Sequence, residues 1–163
     1  MKELIVEKTQ THVGIITLNR PDQMNTFSSI MAAELRQALV DLDNDQQVRV
    51  ILIKGSGRAF CAGIDVNELE GKTAVEYREW IEKMEQPLVS ISKLKTPVIA
   101  QVHGVAAANG MGLVASSDLV IAADKAAGLE MVAGADAFPP KQPLRPNPGL
   151  PPGFQSRIEA DRQ

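Results

Sequence analysis

Cysteine is nearly absent, with one in 163 residues. A single thiol cannot close an internal disulfide, so packing must hold the fold, and a reducing compartment such as the cytoplasm is expected. Aromatic residues are scarce at 4%, with one Trp and one Tyr, which leaves a core of Val, Ile, Leu and Ala. Positive charge is not in excess: 17 Lys and Arg stand against 20 Asp and Glu, a net charge of −3. That balance lacks the basic footprint of a nucleic-acid binder. The first residues, Met1 to Lys8, carry charges inside a short apolar run and do not read as an export signal. One long stretch, Thr96 to Ser117, is uncharged. It contains Gln101, His103, Asn109, Pro97 and three glycines, so it reads as a strand, a turn and a helix rather than a membrane span. No His/Cys/Asp cluster has metal spacing. Neither a G-K-[ST] loop nor a G-x-G-x-x-G at the first βα turn is present, so no metal and no nucleotide cofactor is expected.

What is there is periodic. Residues 3–7 and 12–18 read as strands joined by a short polar turn. Ser28 or Ser29 can cap a helix to about Leu42, with Met31, Leu35, Leu39 and Leu42 at helical spacing. Val48 to Ile53 reads as a buried strand. Residues 73–94 read as helical, with Trp80, Ile81, Met84, Leu88 and Ile91 on one side. Pro87 is expected to kink this helix or start a second piece. A strand at 98–102, a helix at 108–115 and a strand at 119–122 follow. Strands alternating with helices imply an α/β fold with a parallel sheet and right-handed crossovers. Residues 126–163 show neither periodicity and hold seven of the ten prolines, so they read as an irregular tail. Two Pro-x-x-Pro matches within it, Pro140 to Pro143 and Pro143 to Pro146, are expected by chance in so proline-rich a segment.

Two glycine-bearing stretches each follow a predicted strand. One is Gly55-Ser-Gly-Arg-Ala-Phe-Cys-Ala-Gly-Ile-Asp65; the other is His103-Gly-Val-Ala-Ala-Ala-Asn-Gly-Met-Gly112. A loop that opens a helix presents free backbone N–H groups. Two such loops facing each other could hold one oxygen between two donors. The plainer reading of Gly63-Ile64-Asp65 is a tight turn with Asp65 bonding its own loop.

Four blocks in order carry a resemblance: Leu18 to Asn25, Arg58 to Asp65, Thr96 to Gly104, and Ser117 to Asp124. Over about residues 3–125 the chain resembles the crotonase (enoyl-CoA hydratase/isomerase) superfamily. The resemblance implies a crotonase-like spiral of βαβ units, here C-terminally truncated. It implies a domain over 1–125 that binds an acyl-CoA thioester, with 126–163 outside it as a tail or a departure of reading frame near Lys125. The oxyanion donors would be the N–H groups of Ile64 and Asn109. Met24, Thr26, Ala62, Ile64, Asp65, Val66, Asn109 and Gly110 would contact the substrate, and Arg58 reads equally as an aid toward CoA phosphates and as a solvated loop residue. No cofactor is implied beyond the coenzyme A of the substrate. No membrane or nucleic-acid partner is implied. A homotrimer is typical of the family.

The chain also departs from the pattern. Ala108-Asn109-Gly110 stands where many members have consecutive glycines, and Asn109 reads equally as a helix N-cap. Gly112 stands where hydratases of the family carry one of two catalytic glutamates that handle water and proton. Glu130 is the acid nearest the second place, out of register by one or two residues. Hydration, isomerisation and hydrolysis therefore all remain open, as does a catalytically impaired or vestigial fragment. Cys61 reads as a small apolar residue, and His12 and His103 as structural or surface side chains.

Overall fold

The structure, a computed structural model, describes residues 2–124 and Ala126, all within the unit Met1–Val132. Five strands form one sheet in chain order: β1 (Leu4–Lys8), β2 (Val13–Leu18), β3 (Val50–Gly55), β4 (Val98–Val102) and β5 (Leu119–Ala122). β1 and β2 are antiparallel, and each later neighbour is parallel. The sheet is thus mixed where the alternation of elements implies a parallel one. The link between β1 and β2 is too short for a crossover and permits only a hairpin.

Three helices accompany the sheet: α1 (Ser29–Asn44), α2 (Ala74–Ile91) and α3 (Asn109–Ser116). Ser28 starts α1 by accepting the Met31 N–H at 3.0 Å. Thr73 and Glu76 start α2 as a reciprocal capping box, which satisfies two otherwise orphaned N–H groups. α1 buries Met31, Leu35, Leu39 and Leu42. These join Ile16, Leu18, Ile51, Ile53, Val98 and Ala100 from the sheet in one core. Each of the Val, Leu, Ile and Met side chains contributes about 1.5–3 kcal/mol of apolar burial. Ile15, Leu52 and Ile99 are in register across the sheet and only half-buried, as period-two alternation requires.

Pro87 does not begin a second helix: it lies inside α2 as one helix. Its ring is buried in a stripe with Trp80, Met84 and Ile91, at spacings of about one turn. That burial offsets part of the helical bond lost at the carbonyl four residues back. Among the described residues, no helix is long and apolar enough to cross a membrane.

Candidate active site

The stretch leaving β3 is stitched on both sides. Toward the chain after β4, Phe60 N–H donates to His103 O at 2.9 Å and Cys61 N–H to Val105 O at 3.1 Å, while Ala107 N–H donates to Cys61 O at 3.0 Å. Missing side chains permit this contact. A Cβ on Gly104, which has φ +54, would stand 2.0 Å from Arg58 O, and one on Gly110 would stand 2.3 Å from Cys61 O. On the other side Phe27 N–H donates to Gly63 O at 2.7 Å and Asp65 N–H to Phe27 O at 3.0 Å. Backbone groups of an extended segment alternate in direction. With the groups flanking Ile64 committed to Phe27, the Ile64 N–H points away from Phe27, toward the side of residues 105–109. Among the described residues no acceptor meets it.

Asn109 is the first residue of α3, so its N–H is one of the orphan donors of a helix start. It too lacks an acceptor among the described residues. The two segments are close: a Cβ on Gly63 would lie 3.2 Å from Ala108 Cβ. Asn109 is not the N-cap that its residue type suggests. Ala108 takes that place with φ 45 and ψ −117, and the Asn109 side chain donates to Met84 O at 3.4 Å instead. The sharp turn falls one residue earlier, and α2 supplies the amide's partner.

Gly112 lies one turn into α3. A Cβ there would meet Leu88 Cδ1 of α2 at 2.8 Å, so an apolar side chain fills the space beside it. Asp65 bonds its own loop as expected, accepting from Asn67 N–H at 3.2 Å and Asn67 Nδ2 at 2.9 Å. It also accepts from Arg20 at 2.7 Å. The Arg20 hydrogen bond holds its carboxyl below the usual aspartate range, against the opposing effect of burial. Glu68 accepts from Ser29 N–H at 2.9 Å, Trp80 Nε1 at 2.7 Å and the Ser29 hydroxyl. Burial pushes the Glu68 carboxyl up, but bonds from Ser29 and Trp80 outweigh this and hold it low.

The remaining predicted positions are spread along these segments. Met24 O accepts from Ala62 N–H at 3.0 Å. Thr26 is half-buried, Val66 exposed, Gly110 buried and Arg58 exposed. Cys61 is fully buried, its thiol pushed up to about 11 by burial, which suits the small apolar residue expected from sequence. The rings of His12 and His103 lie 2.8 Å from Gln47 O and 3.0 Å from Gly57 O, so each is engaged with backbone. Among the described residues no group of three His, Cys, Asp or Glu could hold a metal. Glu130 and the irregular tail lie outside the described residues. Two open grooves, of 470 and 630 Å³, run along α1 beside β1 and α2, and neither is lined by Ile64 or Asn109. Asn25, Arg20 and Glu68 were not singled out from sequence. Arg20 and Asn25 do lie in the Leu18 to Asn25 block, but nothing there shows what their side chains bind.

The sequence matches the family described as Enoyl-CoA hydratase/isomerase over residues 8–133. It is 38% identical over 130 residues to 1,2-epoxyphenylacetyl-CoA isomerase of Escherichia coli, covering 77% of this chain and 50% of that protein. It is 31% identical over 129 residues to the peroxisomal Delta(3,5)-Delta(2,4)-dienoyl-CoA isomerase of Arabidopsis thaliana, covering 72% and 46%. Among solved structures, an enoyl-CoA hydratase of Mycobacterium smegmatis superposes with a TM-score of 0.72 at 36% identity, covering 75% of this chain and 48% of that one. The chain spans about half the length of the relatives it matches. On the family match and the shared fold together, this chain belongs to the enoyl-CoA hydratase/isomerase family, with a crotonase-type α/β architecture.

Proposed function

We propose that the chain binds an acyl-CoA thioester with the carbonyl oxygen between the N–H groups of Ile64 and Asn109, and that the reaction is enolate chemistry. Removing an α-proton, or adding to an α,β double bond, builds negative charge on that oxygen. Donors already aimed there favour the transition state over the substrate. The observation that carries this reading is the pair of backbone donors on adjoining segments, both without acceptors among the described residues.

Isomerisation and hydration both need a group that carries the proton, and both are outcomes of the same assay. Hydration needs a group to deliver water, and position 112 offers glycine with Leu88 packed beside it. Two of the relatives are isomerases of CoA thioesters by name. Hydrolysis of the thioester is a further outcome of the same assay.

The test is turnover of a panel of acyl-CoA and enoyl-CoA esters by the purified full chain and its Asn109→Pro variant. Proline is accepted at the first helical position but removes the side-chain bond to Met84 O along with the N–H, so Asn109→Ala, which keeps the N–H, is the control. The expected loss is about 10²–10³-fold, as for other oxyanion donors. A loss under tenfold in a folded variant overturns the assignment. A second reading, thioester binding without turnover, is favoured by glycine at position 112 with Leu88 packed beside it. Saturable binding with no product from any ester in the panel would establish it.

A further inference from the structure

We infer that Asn25 is a positioning residue for the Ile64 donor, an inference that rests on the thioester reading above. Asn25 is fully buried and has φ 55. Its Oδ1 accepts the Arg20 N–H at 2.8 Å. Its Nδ2 donates to Ser56 O and to Ala59 O, each at 2.8 Å. Both amide hydrogens are thus spent on one turn, more than thirty residues away in the chain. That turn is the exit from β3 and carries Gly57 at φ 71; its other bonds run from Ser56 N–H to Leu18 O at 2.9 Å and between the His103 ring and Gly57 O at 3.0 Å.

From there the bonds run on in sequence. Ala62 N–H donates to Met24 O, then Gly63 O accepts from Phe27, then Asp65 N–H donates to Phe27 O. Residues 24–27 therefore act as a straightedge along which 56–65 is laid, and Asn25 clamps its leading end. Each bond in the series sets the rotation of the next peptide. The peptide between Gly63 and Ile64, whose carbonyl is held by Phe27 N–H, carries the Ile64 N–H. A carbonyl pulled out of line at Ser56 or Ala59 re-aims that N–H without deleting it. Misplacement of about 1 Å at such a group can cost about 10²-fold in rate.

Asn25 touches backbone, not the reacting atoms, so its signature is orientation. The experiment uses the purified chain and trans-cinnamoyl-CoA, whose absorption band moves to longer wavelength when its carbonyl is polarised. Asn25→Gly accepts the positive φ and removes the three bonds. Asn25→Ser keeps a hydroxyl that can reach one carbonyl. The control is Leu39→Ala, a core truncation in α1 that lowers stability through a cavity. The expected result is binding within about threefold of the wild type for all three. The band shift should be intact in Leu39→Ala, reduced in Asn25→Ser and lost in Asn25→Gly. Where an ester is turned over, kcat should fall in the same order with KM little changed.

Full band shift in Asn25→Gly overturns the inference and leaves the donor assignment standing. Equal loss in Leu39→Ala overturns it as well, because general loosening then suffices. Failure of both Asn25 variants to fold makes the residue structural and overturns it too. No band shift in the wild type on saturable binding overturns the donor assignment, and the inference with it.

Discussion

The two segments that frame the site are held in opposite ways. The first, 56–65, is held by polar side chains: Asn25 on the Ser56 and Ala59 carbonyls and Arg20 on Asp65. The second, 103–112, is held by the absence of side chains. Gly104, Gly110 and Gly112 let backbone or a neighbour approach to distances no Cβ allows. A polar clamp loses strength in steps, one bond at a time. A close approach fails at once, since an added methyl must displace backbone. The segments should therefore respond to different insults, which the following measurements test.

The largest effect is expected at the glycines. Gly104→Ala combines a positive φ with a backbone oxygen 2.0 Å from the new carbon, and Gly110→Ala meets Cys61 O at 2.3 Å. Strain and overpacking together should cost about 3 kcal/mol or more at each site. Thermal unfolding should show the midpoint lowered by about 10 °C. Gly112→Ala meets only the end of the Leu88 side chain, which can rotate, so it should cost less than either. Equal loss at all three would mean that close backbone approach is not what holds this segment.

Next comes the ion pair. Arg20→Met leaves the mostly buried Asp65 carboxylate without its cation, at an expected cost of about 3 kcal/mol. Asp65→Asn added to Arg20→Met should recover part of that loss, because no uncompensated charge remains. A double-mutant cycle in urea measures the coupling. Strict additivity would show that the pair is not a unit.

Acid acts on the first segment through Asp65. The Asp65 carboxyl is held below its unfolded value, chiefly by Arg20. A depressed carboxyl binds fewer protons folded than unfolded, so its stabilisation is complete above the unfolded value, about 3.9 for aspartate. It is lost as pH falls through the lower folded value. Melting temperature followed from about pH 5 to about pH 2 should fall less steeply in Asp65→Asn than in the wild type. Glu68, also held low, adds to the same fall. Parallel curves would place the acid sensitivity elsewhere.

Sequence showed the second segment more fully than the first. Glycines at 104, 110 and 112 are visible as letters, Gly104 between a strand and a helix and the other two inside the helix. The polar clamp is not visible in that way. Asn25 reads as one more turn residue until its amide is seen on carbonyls of Ser56 and Ala59. Long-range side-chain bonds have no period, so no pattern announces them. The strands, and the helices at Ser29, Ala74 and Asn109, were legible because their apolar spacing is local. Pro87 left a second helix open because its backbone chemistry argues against helix, while its ring, in place, belongs to the buried stripe of one helix. Asn109 similarly left a cap open, since its residue type favours one and the geometry gave that position to Ala108.

The smallest effect sharpens the comparison most, because it strengthens rather than breaks. Ala108 holds φ 45 and ψ −117, a conformation that L side chains rarely adopt. Such strain costs about 1–3 kcal/mol. Its methyl is exposed, so removing it gives up little packing. Glycine there relieves the strain but adds about 0.5–1 kcal/mol of unfolded-state entropy. Ala108→Gly should therefore stabilise the chain by about 1 kcal/mol, read as a raised urea midpoint with unchanged slope. The backbone path into Asn109 needs no change, so thioester binding should stay within about twofold. Stabilisation with unchanged binding would mean that the second segment keeps its geometry through close packing alone and carries the alanine as strain. Lost stability would mean that the Ala108 methyl, against Gly63, is itself one of the contacts that hold the two segments together.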